Sequence, residues 1–187
     1  MGSRNLAGIA SIVVFALASP SLAELPGQIT VGKQTLKLNG AGMRTKTFVN
    51  IYESGLYLAA PSTDAQKILA ADELMSIRVK ITSGFVSRSS LVKSFQESLK
   101  ASTGGKTDKI AKETQALLSA LSDEVKKNDI YDFLYVPSRG LYVMKNGKVK
   151  GTIPGLHFKQ ALYGIWLSDS PVDKSLRQAL LSGGKRR

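Results

Sequence analysis

The chain has no cysteine. Disulfides, thiolate metal sites and thiol nucleophiles are excluded, so the fold is held by its core alone. A single histidine, His157, excludes multi-histidine metal centres and leaves little room for a Ser-His-Asp arrangement. No metal or other cofactor is expected. Acidic residues are scarce: 14 Asp and Glu stand against 26 Lys and Arg, a formal charge of +12. Such a surplus draws a protein towards anionic surfaces and anionic solutes. The cations are scattered and no nucleic-acid motif is present, so nucleic acid is not an expected partner. Gly40-Ala41-Gly42 is too short for a phosphate-binding loop.

The one long apolar run is at the start. Arg4, the uncharged residues 6–18 and then Ser21-Leu22-Ala23 have the layout of a cleavable secretory signal, too short for a membrane span. Residues 1–23 are therefore expected to be a signal peptide and 24–187 a single domain, periplasmic or secreted.

Along that domain, Ile29 and Val31, then Leu36 and Leu38, read as two strands joined at Gly32-Lys33. Gly40 and Gly42 permit a sharp turn or a close approach. Phe48, Val49, Ile51, Tyr52 and Leu56 to Leu58 read as a strand. Thr63 with Gln66 predicts a capping box and a short helix through Ile68 and Leu69. Ile77, Val79 and Ile81 alternate with Arg78 and Lys80, which predicts a strand with one wet face. Ser87 is a cap for a helix burying Leu91, Phe95 and Leu99; Thr107 is a cap for a longer one reaching Val125, with Lys126 and Lys127 at its C-terminal end. Aromatic-rich residues 129–136 and the two segments flanking Asn146-Gly147 read as three more strands. A helix carries Phe158, Leu162, Ile165 and Trp166, and Pro171 suits the first turn of a last helix. Strands and helices without βαβ alternation predict an α+β fold with an antiparallel sheet.

Gly-Ala-Gly-Met-Arg at residues 40–44, Ile-Tyr-Glu-Ser-Gly-Leu-Tyr-Leu at 51–58, Asn146-Gly147-Lys148 and Ile-Trp-Leu-Ser-Asp-Ser-Pro at 165–171 together resemble the chalcone isomerase fold family. They are most similar to its bacterial chalcone isomerase-like members and to the plant fatty-acid-binding relatives. Serine at 168 stands where the family pattern has glycine. The resemblance implies a large antiparallel sheet with helices packed on one face and an apolar cleft between them.

It also implies roles. Arg44 matches the arginine that stabilises a substrate oxyanion in the isomerases and grips the lipid carboxylate in the fatty-acid-binding relatives. Either task uses a planar donor fork facing an anion in a dry pocket. Tyr52 matches a tyrosine assisting carboxylate binding. Eight residues of straight strand span about 27 Å. Both residues meet one head group only if the chain folds back between them, near Lys46-Thr47; otherwise they serve different parts of a long cleft. The isomerases' catalytic tyrosine and asparagine fall near Val86 and Lys93, and neither type is kept, which weighs against chalcone isomerisation. Lys93 is a candidate second anion contact. The leading expectation is a non-catalytic exported protein binding a fatty acid or similar apolar carboxylate through Arg44, Tyr52 and Lys93. An isomerase-type intramolecular lyase, and a basic protein docking on anionic envelope surfaces or a protein partner, are the alternatives. Core packing is the expected role of Tyr131, Phe133, Tyr135, Tyr142 and Trp166, with cleft lining as the other.

Overall fold

The structure is a computed structural model that describes residues 25–184. The leader expected over residues 1–23 lies outside the described residues. Seven strands form one antiparallel sheet in sequence order: β1 (Gln28–Val31), β2 (Gln34–Lys46), β3 (Val49–Leu58), β4 (Met75–Ile81), β5 (Ile130–Val136), β6 (Gly140–Lys145) and β7 (Lys148–Ile153). Helices α1 (Ala65–Ala70), α2 (Arg88–Ser102), α3 (Ala111–Ala120), α4 (Leu156–Leu167) and α5 (Lys174–Leu180) accompany it. The fold is α+β, and a main core lies between the sheet and its helices. Leu56, Ile77, Phe133 and Val143 from the sheet meet Leu99, Leu117, Phe158 and Leu162 from the helices there.

Local chemistry accounts for the boundaries. Ser87 caps α2 through a box in which Ser87 and Ser90 each receive the other's amide. Gly104 and Gly105, both at positive φ, end the same helix. Asn146-Gly147, also both at positive φ, turn β6 into β7. The β2–β3 hairpin has the same positive-φ pair but in Thr47 and Phe48, residues without a turn signature. Phe48 is thus a fully exposed loop tip rather than part of a strand.

Several expectations are corrected. The 40–42 segment is not a turn: Gly40 and Gly42 lie within β2. A Cβ on Gly40 would stand 2.0 Å from the Ala179 carbonyl oxygen, and one on Gly42 2.7 Å from the Ala179 Cβ. These glycines exist so that α5 can lie directly on the strand. Asp64, not Thr63, caps α1 by accepting from the Lys67 amide. The long helix from Thr107 is a 3-10 turn (Asp108–Ile110) followed by α3, which stops at Ala120. Lys126 and Lys127 therefore follow a loop. Asp173 caps α5, and Pro171 precedes the helix.

The expected wet face of β4 is also closed. Arg78 is buried and makes a bidentate pair with Asp132, at 2.7 and 3.1 Å. Tyr57, its ring 5.9 Å from the Arg78 guanidinium, anchors the incoming chain by donating to the Pro26 carbonyl. Leu25 seats against Gly55. A second, smaller core of Ile29, Val31, Leu36, Tyr57, Leu134 and Met144 results.

Candidate functional site

The bulge between Leu38 and Gly40 sets the phase of β2. Downstream of it Gly40, Gly42 and Arg44 fall on the side that α5 covers, since side chains alternate along a strand. The glycines let α5 touch the strand, and Arg44 emerges beyond the helix. The turn at Thr47-Phe48 then brings β3 back, and the register places Tyr52 directly opposite Arg44. The chain folds back where one head group requires it, and the two candidates share one spot.

Arg44 lies with its guanidinium 5.8 Å from the centre of the Tyr52 ring and donates from Nη1 to Ser94 Oγ at 3.2 Å. It makes no ion pair among the described residues. Tyr52 is buried, and its hydroxyl accepts from Trp166 Nε1 at 3.1 Å. Burial raises the Tyr52 pKa, against the opposing pull of Arg44 and Trp166, so the phenol stays protonated at neutral pH. With its lone pair occupied by Trp166, its O–H is left to donate. Asp173, whose charge reaches Tyr52, is committed to the Leu176 amide as the cap of α5.

These donors border a cavity walled by β3, β4, α2 and α4 and lined by apolar side chains such as Val79, Leu91, Phe95 and Ile165. Phe95, Phe133 and Trp166 form a closed three-ring cluster with centroids 5.3 to 6.1 Å apart. The space that a water-sized sphere can enter is ≈ 20 Å³, about what one water needs. Chemically, a guanidinium, a phenol and a serine hydroxyl converge at the edge of an apolar wall. That set binds negative charge.

Lys93 does not join it. The lysine is exposed on α2, 3.9 Å from Glu97 one turn on. Ser94 and Ser98 of α2 border the cavity instead. Sequence reasoning missed both, although their i,i+4 spacing beside Leu91 and Phe95 marks small polar residues within the buried stripe. Trp166 and Phe133 belong to the site's wall and core, whereas Tyr142 packs on the second core. Tyr135 donates to Asp72 at 2.6 Å, away from the cavity. His157 lies 3.3 Å from Glu113 on the surface. Among the described residues no cluster of His, Asp and Glu could hold a metal ion.

A family model described as chalcone isomerase-like matches residues 21–182. No curated protein matches the chain. Among solved structures it is similar to the crystal structure of a fatty-acid binding protein of Arabidopsis thaliana (AtFAP1), with a TM-score of 0.66 and 21% identity over 86% of this chain and 92% of that one. At that identity the likeness speaks for the fold.

Proposed function

The chain belongs to the chalcone isomerase-like family, and from that premise we propose that it binds an apolar carboxylate, a fatty acid before others, with Arg44 as the carboxylate clamp. The observation that carries this is the half-buried Arg44. It has no acid partner among the described residues and sits at the edge of an apolar cavity with the Tyr52 and Ser94 hydroxyls beside it. A guanidinium so placed is matched by an anion from outside the chain. The fatty-acid binding of the Arabidopsis neighbour supports the choice of ligand. A tail does not fit ≈ 20 Å³. Binding therefore requires α2, which buries only Leu91, Phe95 and Leu99, to give way and admit the tail between helix and sheet. In the same proposal the leader directs the protein to the periplasm or outside the cell.

The test is a fatty-acid titration by calorimetry beside thermal unfolding of delipidated wild type and Arg44→Met. Losing the clamp should weaken binding by roughly 2–5 kcal/mol, as for truncating one side of a buried charge pair. The melting temperature should hold or rise, because methionine keeps the apolar stem and removes a cation that has no acid partner among the described residues. Equal affinity in the two proteins would sink the clamp. A large drop in stability with affinity intact would make Arg44 a structural residue.

A further inference from the structure

The two ends of the sheet differ in what they expose. Among the described residues five large apolar side chains are exposed: Met43, Phe48, Val49, Phe85 and Val149. Register puts all of them at the end where β2 turns into β3. Phe48 is at that turn, flanked by the paired Lys46 and Val49. Phe85 is in the loop that leaves β4. That loop is tied to the hairpin, because the Thr82 and Ser83 amides donate to the Ile51 carbonyl and Thr82 Oγ1 donates to the Asn50 carbonyl. On the other side of β4, the Asn128 amide donates to the Ile81 carbonyl and brings the Lys126–Lys127 loop alongside. Val149 follows the β6–β7 turn at the same end.

Phe48 is 99% and Phe85 89% exposed, which a solvated loop does not require of either. Phe48 also has φ +67 next to Thr47 at φ +46. In the β6–β7 hairpin the equivalent positions carry Asn-Gly, the residues this geometry favours. A bulky aromatic at positive φ costs stability, so the ring is kept there against the turn's own preference. The neighbourhood is basic. Lys46, Arg88 and Lys127 make no ion pair among the described residues, while Lys126 pairs with Glu124.

We propose that this end docks on a membrane surface bearing anionic headgroups. Phe48 and Phe85 enter the interface as two separate wedges, and Lys46, Arg88 and Lys127 face the lipid phosphates. Single rings on protruding loops with cations behind them suit a lipid interface, where apolar burial and electrostatic attraction act together. A protein partner would be met by an apolar core within a polar rim, whereas these two rings stand on separate loops. Docking brings the Arg44 end of the cavity to the lipid, two residues from Lys46. The surface is distinct from the carboxylate clamp and stands without it.

The experiment is flotation with vesicles of phosphatidylcholine alone and with phosphatidylglycerol added. Wild type should float with the anionic vesicles at low salt and less as salt rises. F48S/F85S should lose affinity on the order of tenfold or more, the effect of withdrawing two aromatic rings from an interface. Its melting temperature should hold or rise, since both rings are solvated and Phe48 sits at a strained positive φ. Its fatty-acid affinity in solution should also be unchanged, so docking and the clamp stand or fall in separate measurements. Equal flotation of both proteins overturns the proposal. No flotation of wild type at low salt overturns it as well and leaves a protein partner as the occupant of this end.

Discussion

Lys159 is wholly buried, and its ammonium donates to three carbonyls at the end of α1: Ile68 at 2.8 Å, Leu69 at 2.9 Å and Ala71 at 2.8 Å. The rings of Tyr135 and Tyr163 flank it at 5.5 and 5.6 Å. A helix end leaves its last carbonyls without partners, and here α4 supplies all three donors from one side chain. Lys159→Met should cost roughly 2–4 kcal/mol, the cost of stranding such acceptors, measurable by urea unfolding. Burial pushes the Lys159 pKa down to about 8, with Asp72 and Glu73 pulling the other way. Below pH 8 the folded and unfolded chains both hold the proton. Between about 8 and 10.5 the unfolded chain holds it and the folded chain does not, so stability rises with pH. The stability difference between wild type and Lys159→Met should therefore widen from pH 7.5 to pH 9.5. A difference that stays constant over that range would show that the three carbonyls outweigh burial and hold the proton. None of this is legible in the sequence, where Lys159 sits beside Phe158 in a helix whose apolar stripe gives no place to a cation. Its role is set by where α1 ends, which is a tertiary fact.

At the scale of elements, β2 with α5 separates what local patterns tell from what they do not. Asn146-Gly147 was readable as a hairpin because both residue types favour positive φ. Thr47-Phe48 was not, because nothing in those two side chains favours that geometry. Gly40 and Gly42 were readable as a sharp turn with a close approach; the close approach is met, by α5, and the turn is not. A glycine needed for its φ and one needed for its missing Cβ look alike in a sequence. Likewise Leu121 and Val125 are buried from beyond the end of α3, and their spacing continues the helical one. The Arg44–Tyr52 pair was legible through the family resemblance, whereas Ser94 depended on the phase of α2 against a hairpin far away in sequence. The role of Gly40 is open to a direct check. Gly40→Ala places a methyl 2.0 Å from one backbone oxygen and 2.8 Å from another, both in α5. Overpacking against backbone of this severity should cost about 3 kcal/mol or more. Gly27→Ala meets nothing within 4 Å and should change stability by less than about 1 kcal/mol. Comparable chemical-unfolding midpoints for the two variants would mean that α5 does not lie against the strand as described.

For the molecule as a whole, the two cores divide the work. One face of the sheet is sealed by the Arg78–Asp132 pair and the Leu25–Pro26 segment, and the other carries every helix-lined wall of the cavity. The sheet is continuous, with each strand bonded to its sequence neighbours, so a ligand larger than one water must be admitted by the helical layer. Of the helices around the cavity, α4 is buried along most of its length, with eight buried residues, whereas α2 has three. Local opening follows such differences in buried contact. In the ligand-free protein the amides of α2 should therefore exchange with deuterium faster than those of α4 and of β3 to β5. Fatty acid at a hundredfold excess over its dissociation constant should stabilise the fold by about 2.7 kcal/mol, a rise of roughly 5–10 °C in melting temperature for a chain this size. The accompanying slowing of exchange should centre on α2 and on the β2–β3 hairpin around Arg44 and Tyr52. A rise in melting temperature with exchange in α2 unchanged would place the ligand elsewhere on the protein, and the carboxylate clamp would have to be given up even though binding is real.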